Sequence, residues 1–158
     1  MKRRINIYAS RHFPISIFIF LLTIVSCRKD EIPEQNLKCP VVAVNGADDN
    51  ILGKWKLVNA NIVFSNPRTE DYSCDEIIYD FRADGILVVS SGASGDSVGH
   101  QQGQYTYAFT ADRLFEGIEE SYTLSINETK IASGIKNNKL VLNDSPLDGP
   151  ILYFVRIQ

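Results

Sequence analysis

Histidine is nearly absent from this chain: two of 158 residues, His12 and His100. No Gly-x-Ser-x-Gly elbow, no His pair at metal-ligating spacing and no phosphate-cradling loop accompanies them. The usual seats of nucleophilic, zinc and phosphoryl chemistry are therefore missing, and an enzyme is not expected. The sequence also lacks heptads, a sustained 3.6-residue period and internal repeats, which argues against coiled coils, helical bundles and solenoids. Long apolar runs are missing too. The longest, FPISIFIFLLTIV at residues 13–25, has 13 residues and contains Pro14. A spanning helix needs about 20. Finally, the first twelve residues, MKRRINIYASRH, hold no acid but carry Lys2, Arg3, Arg4 and Arg11.

A basic start followed by a short apolar run is the pattern of a secretory signal; an uncleaved N-terminal anchor is the alternative. At the end of the run, Ile24-Val25-Ser26-Cys27 resembles the bacterial lipobox, in which a branched residue, a tolerated residue and a small residue precede the cysteine. The resemblance implies that residues 1–26 are a signal peptide. Cys27 then becomes a diacylated mature N-terminus, held at a membrane by two or three acyl chains, since one chain binds only marginally. Arg28-Lys29-Asp30-Glu31 follows it directly, and Lys29-Asp30-Glu31 resembles the surface-export signal of Bacteroidetes lipoproteins; the alternative is an ordinary solvated charge cluster. The implied location is the cell outer membrane, with the surface-exposed side favoured over the periplasm-facing one.

The mature chain, residues 27–158, would hold all 19 acids and 16 − 4 = 12 of the Lys and Arg, a formal charge of 12 − 19 = −7. Such a chain has no electrostatic reason to bind nucleic acid or anionic lipid. Its membrane contact must come from the acyl anchor. Two cysteines remain, Cys39 and Cys74. In an exported protein they are expected to form the one available disulfide, the alternative being two free buried thiols. Closing that 35-residue separation would stabilise the fold by about 3–4 kcal/mol on the chain-entropy account. Residues 27–50, polar and carrying Pro33, Pro40 and Gly46, read as the lipidated N-terminus and a tether. A Cys39–Cys74 bridge would pin Val41-Val42-Ala43-Val44 against the folded body.

From residue 51 the pattern is β. Apolar residues alternate in 53–64, 75–81 (Ile77, Tyr79, Phe81), 86–91, 104–110 (Tyr105, Tyr107, Phe109), 121–127 (Tyr122, Leu124, Ile126), 129–135, 139–143 and 151–157. Arg82-Ala83-Asp84-Gly85, Asn127-Glu128 and Asn137-Asn138 supply turns. Residues 92–103, with four glycines, read as a mobile loop. Residues 113–117 are ambiguous between a strand and a helical turn. Eight strands joined by hairpins, or nine if 113–117 pair, predict an all-β fold: a small up-and-down antiparallel barrel over residues 51–158.

Leu52-Gly53-Lys54-Trp55 resembles the Gly-x-Trp opening of the lipocalins, where the Trp closes one barrel end and an Arg of the last strand packs across it. Here Arg156, in Phe154-Val155-Arg156-Ile157, stands where that Arg would be. With the lipobox, Cys74 and Tyr79-Asp80-Phe81-Arg82-Ala83-Asp84-Gly85, the chain is more similar to the small lipocalin-like domains of Bacteroidetes lipoproteins. The resemblance covers roughly residues 50–158 and implies a Trp55–Arg156 barrel-closing pair. The 108 residues of 51–158 are few for a deep calyx, and the lipocalin motif of the later loop has no counterpart.

If alternation holds, Tyr79, Phe81, Tyr105, Tyr107, Phe109 and Tyr122 point inward. They are either the lining of a site for a small apolar ligand or plain core, since a small barrel can be filled by its own side chains. A buried Tyr hydroxyl needs a partner, and a wet or liganded cavity would supply one. His100 reads as a solvated loop residue. Asp48-Asp49-Asn50 reads as a polar turn before the first strand and lacks EF-hand spacing. Glu116, Glu119 and Glu120 read as a solvated face. No metal and no cofactor is expected. Asp96-Ser97-Val98 resembles the O-glycosylation motif of Bacteroidetes. Asn127-Glu128-Thr129 and Asn143-Asp144-Ser145 match the N-glycosylation pattern, rarely used in the bacterium that a lipobox implies. Two functions follow: a lipid-anchored carrier of a small apolar ligand, or a filled barrel whose loops, 92–103 above all, dock another envelope protein.

Overall fold

Alternation of apolar and polar residues builds every long strand. The computed structural model describes residues 37–64, 66–91 and 98–158. The signal segment, Cys27, Lys29-Asp30-Glu31 and Asp96-Ser97 lie outside the described residues. Nine strands follow in order: β1 (Gly53–Ile62), β2 (Arg68–Asp71), β3 (Ile78–Phe81), β4 (Ile86–Ser90), β5 (Gly103–Thr110), β6 (Tyr122–Ile126), β7 (Thr129–Lys136), β8 (Lys139–Asn143) and β9 (Ile151–Arg156). All pairings are antiparallel, and β1 pairs with β9 as well as β3. The ring β1-β3-β4-β5-β6-β7-β8-β9-β1 is thus a closed eight-stranded up-and-down barrel of the lipocalin-like kind. Closure leaves that ring with no unpaired edge. The regular helix among the described residues is a single 3-10 turn, Ser145–Leu147, and none is long and apolar enough to cross a membrane.

The extra strand is β2, and it corrects the expectation for residues 113–117, which form bends and a turn, neither strand nor helix. β1 is long enough to serve two partners along one edge: Gly53–Lys56 pair with β3 and Asn59–Ile62 with β2. Arg68-Thr69-Glu70-Asp71 is polar throughout and lies beyond the core, so no apolar alternation marks it. Residues 111–121 instead run over the outer face of the sheet. Thr123 Oγ1 donates to the Asp112 carbonyl at 2.6 Å, and Glu120 packs over Gly134. That cover buries Ala132, which alternation turns away from the core.

The turns fit their residues. Asn137 (φ 53°) and Asn138 (φ 62°) form the two-residue link between β7 and β8, the left-handed pair that Asn tolerates best after Gly. A bulge sets the twist of β1: Leu57 faces Phe154 and Asn59 faces Tyr153, leaving Val58 as the extra residue. The core is the barrel interior, centred on Trp55, Leu57, Tyr79, Phe81, Leu87, Leu124, Ile126, Leu140, Leu142 and Phe154, all at most 1% exposed.

The described part of the tether, residues 37–50, is laid on the barrel as a strap. Cys39 is bonded to Cys74, with Cα atoms 5.0 Å apart. Beside the bridge the Cys39 N–H donates to Ser73 Oγ at 3.0 Å and the Lys38 N–H to Asp71 Oδ2 at 2.8 Å. Further along, the Val44 N–H donates to the Arg156 carbonyl at 2.9 Å. Leu37, Pro40, Val41 and Ala43 of the strap border a shallow cleft together with Val155, while Val42 points to solvent.

Candidate functional site

The two barrel ends differ, and their difference defines the site. At the end where β1 begins, Trp55 is fully buried and donates its indole N–H to the Ile51 carbonyl at 2.7 Å. The Arg156 guanidinium lies over its rings, 4.1 Å from the centroid. Arg156 also donates to the carbonyls of Leu52 (2.9 Å), Asn50 (2.5 Å) and Ala47 (3.1 Å), so it binds the strap to the barrel. Burial lowers its pKa, an effect partly opposed by Asp48. Asp48 Oδ1 accepts the Asn137 N–H at 3.1 Å and Asn50 Oδ1 the Leu52 N–H at 2.9 Å. The acidic turn Asp48-Asp49-Asn50 thus caps this end. The Trp55–Arg156 pair sits at this closed end, and the Cys39–Cys74 bridge holds the strap beside the β2–β3 connection.

The interior comes next. Tyr79 and Phe81 are fully buried in the core, and Tyr105, Tyr107 and Phe109 pack half-buried against it; Tyr122, also half-buried, stacks on Phe109. They do not gather around one space. Tyr79 packs on Phe154 (ring centroids 4.8 Å apart) in the middle of the barrel. Tyr107 meets Phe81 edge-on at 5.0 Å, and its hydroxyl donates to the Arg82 carbonyl at 2.7 Å. Tyr122 stacks on Phe109 at 4.7 Å, farther along β5. Tyr105 lies toward the other end, its hydroxyl donating to the Gln101 carbonyl at 2.8 Å. Protein groups thus take up the hydroxyls of Tyr79, Tyr105 and Tyr107, where a wet or liganded cavity would otherwise have to.

Tyr79 shows this best. Its hydroxyl accepts the His100 backbone N–H at 2.8 Å and lies 3.2 Å from His100 Nδ1. Burial drives its pKa far above the usual tyrosine range. The chain reaches this hydroxyl because residue 99 is glycine: at φ +83° a Cβ would stand 2.8 Å from Tyr79 Oη and 2.9 Å from Leu152 Cδ1. His100, expected to be solvated, is instead wedged edge-on against Tyr79 (5.9 Å) and Tyr105 (5.4 Å), and burial lowers its pKa. A neutral imidazole can accept a hydrogen bond from the Tyr79 O–H at Nδ1, giving the hydroxyl both an acceptor and a donor partner.

Where this loop meets the β8–β9 connection a half-open cleft of about 260 Å³ remains at the barrel mouth. Ile131, Leu142 and Leu152 form its apolar side; Thr129, Pro150, Gly99, His100 and Asp144 complete it. Asp144 closes the 3-10 turn with its carbonyl, which accepts the N–H groups of Leu147 (2.9 Å) and Gly149 (3.0 Å). Its carboxylate rests against Gly149, where a Cβ would approach Oδ2 to 2.3 Å, and burial raises its pKa. Sequence reasoning missed Asp144 and the cleft. The only signal was an acid directly after a strand and before Ser145-Pro146. Among the described residues no group of three His, Cys, Asp or Glu side chains could hold a metal ion.

Fold and site together define a closed β-barrel with an aromatic core, a strapped end and a loop-lined mouth. No family model, no curated protein and no solved structure matches the chain.

Proposed function

We propose that the protein is a lipid-anchored envelope lipoprotein whose filled barrel is an interaction module, docking another envelope protein through its mouth loops. The observation that carries this reading is the Tyr79–His100 contact: the residue best placed to greet an apolar ligand is sealed by the chain itself. A carrier, the function that the lipocalin resemblance implied for Tyr79, Phe81, Tyr105, Tyr107 and Tyr122, asks for interior volume. Those positions here are packed with rings, as small barrels tend to be.

The anchor is Cys27, through the lipobox resemblance. The disulfide would set an upper limit on the distance between such an anchor and the barrel. With Cys39 bound to Cys74, the dozen residues from Cys27 to Lys38 could span at most about 40 Å. The acidic chain then stays near the surface without adhering to it electrostatically.

Two experiments test the reading. Cys27→Ala should move the protein out of the membrane fraction; retention there refutes the anchor. A photo-crosslinking residue at Leu147, exposed beside the mouth, should capture one discrete envelope protein in intact cells, while the same residue at Glu76, exposed by β3, should not. Equal capture at both positions, or at neither, overturns the docking reading.

A further inference from the structure

We infer that the mouth cleft is the socket for one basic side chain, Lys or Arg, of the docking partner: Asp144 receives the cationic head, and Ile131, Leu142 and Leu152 hold the aliphatic stem. The inference rests on the docking reading above and adds the chemistry of the contact.

Size is the first argument. The cleft of about 260 Å³ corresponds to roughly nine waters of liquid, room for one long side chain. Pockets for drug-sized ligands run to about 300–1,000 Å³. Composition is the second. Three aliphatic residues and Pro150 make the cleft mostly apolar, and one carboxylate stands at its side. Lys and Arg have that same division, an apolar stem behind a charged head. An apolar side chain would leave Asp144 covered and unpaired, and an acidic one would be repelled by it.

Charge complementarity is the third. The mature chain carries −7, and His100, the only described lining residue that can become cationic, has its charged form disfavoured by burial. Burial raises the Asp144 pKa with no cation to oppose it. A partner's ammonium or guanidinium would restore the interaction that the carboxylate gave up with its water. Arg in a largely desolvated pocket is also a recurrent hot spot of protein interfaces.

The test is an NMR titration of the ¹⁵N-labelled mature chain with N-acetyl-arginine-amide and, as the uncharged comparison, N-acetyl-norleucine-amide. The arginine probe should shift the amides of His100, Asp144 and Leu152 saturably, and the norleucine probe should bind at least about tenfold more weakly. Asp144→Asn should weaken the arginine probe by at least about tenfold while leaving the remaining spectrum in place. Thr129→Lys, which offers a cation from the cleft wall, should block the probe with Asp144 intact. Equal shifts from both probes, no saturable shift, or unchanged affinity in both variants overturns the socket. If the Leu147 crosslink persists while arginine binding fails, the socket alone is wrong. If the crosslink also fails, the docking reading falls with it.

Discussion

Arg156 sits 4.1 Å above the Trp55 rings while its guanidinium nitrogens hold the carbonyls of Leu52, Asn50 and Ala47. One side chain thus joins the last strand, the first strand and the strap. Gly46 lies so close that a Cβ there would be 2.6 Å from Arg156 Nε. Arg156→Ala removes a cation–π contact and three charge-assisted hydrogen bonds to part-buried carbonyls. The expected loss is about 3 kcal/mol in denaturant unfolding. Arg156→Lys should recover only a small part, since an ammonium cannot fork to three carbonyls while stacking. Equal stability of the Lys variant and the parent would show that charge alone matters.

Removing the disulfide by Cys39→Ser with Cys74→Ser should cost about 3–4 kcal/mol, the chain-entropy value for a loop of 35 residues. The loss should concentrate in the strap. The Val44 amide, bonded to the Arg156 carbonyl, should lose its hydrogen-exchange protection before the amides of β6 and β7 do. Uniform loss across the barrel would mean that the strap and barrel unfold as one unit.

Burial lowers the His100 pKa, so the folded protein takes up that proton at lower pH than the unfolded chain does. Between the two values the unfolded state binds more protons, and stability falls as pH falls. The contribution is complete above the unfolded imidazole value near 6.5 and is lost below it, down to the folded value. Urea unfolding of the mature chain from pH 7.5 to 5 should show this decline, and His100→Gln should flatten it. Glu70 is held down by Tyr72 and Arg68, and in Asp71 hydrogen bonds from Ser73 and Lys38 outweigh desolvation; Asp144, raised by burial, acts in the opposite direction to His100 and adds stability as pH falls. A decline unchanged in His100→Gln would contradict the assignment.

Gly99→Ala should lift the loop off Tyr79. The backbone conformation at φ +83° is strained for alanine, and its Cβ would collide with Tyr79 Oη and Leu152 Cδ1. The expected cost is about 1–3 kcal/mol, a strained backbone plus a buried donor and hydroxyl left unpaired. Tyrosine absorption should report greater solvent access. Tyr79→Phe leaves the His100 N–H without its acceptor and should cost a similar amount.

Period-two alternation carried most of the barrel, because each of its eight strands turns one apolar face inward. It could not carry β2, whose Arg68-Thr69-Glu70-Asp71 buries no apolar side chain and is ordered by the far half of β1. It left 113–117 undecided because those residues serve as outer cover, where no period applies. The Trp55–Arg156 contact was legible through the Gly-x-Trp resemblance, and the Cys39–Cys74 bridge through the count of remaining cysteines. The site was harder. Alternation told which way the tyrosines point, yet whether they surround a space depends on what meets their hydroxyls. For Tyr79 that is the backbone of His100, 21 residues away. Asp144 joined His100 only when the barrel closed and brought the β8–β9 connection beside the loop before β5.

The central claim is that the barrel interior is filled by its own aromatic side chains and that the protein works through its mouth. Native mass spectrometry of the protein, gently extracted from membranes, tests it most directly. The account predicts one mass, that of the lipidated chain with its disulfide, unchanged when apolar ligands are offered. A second species carrying one bound apolar molecule, accompanied by loss of hydrogen-exchange protection at the His100 amide as Tyr79 is uncovered, would contradict it.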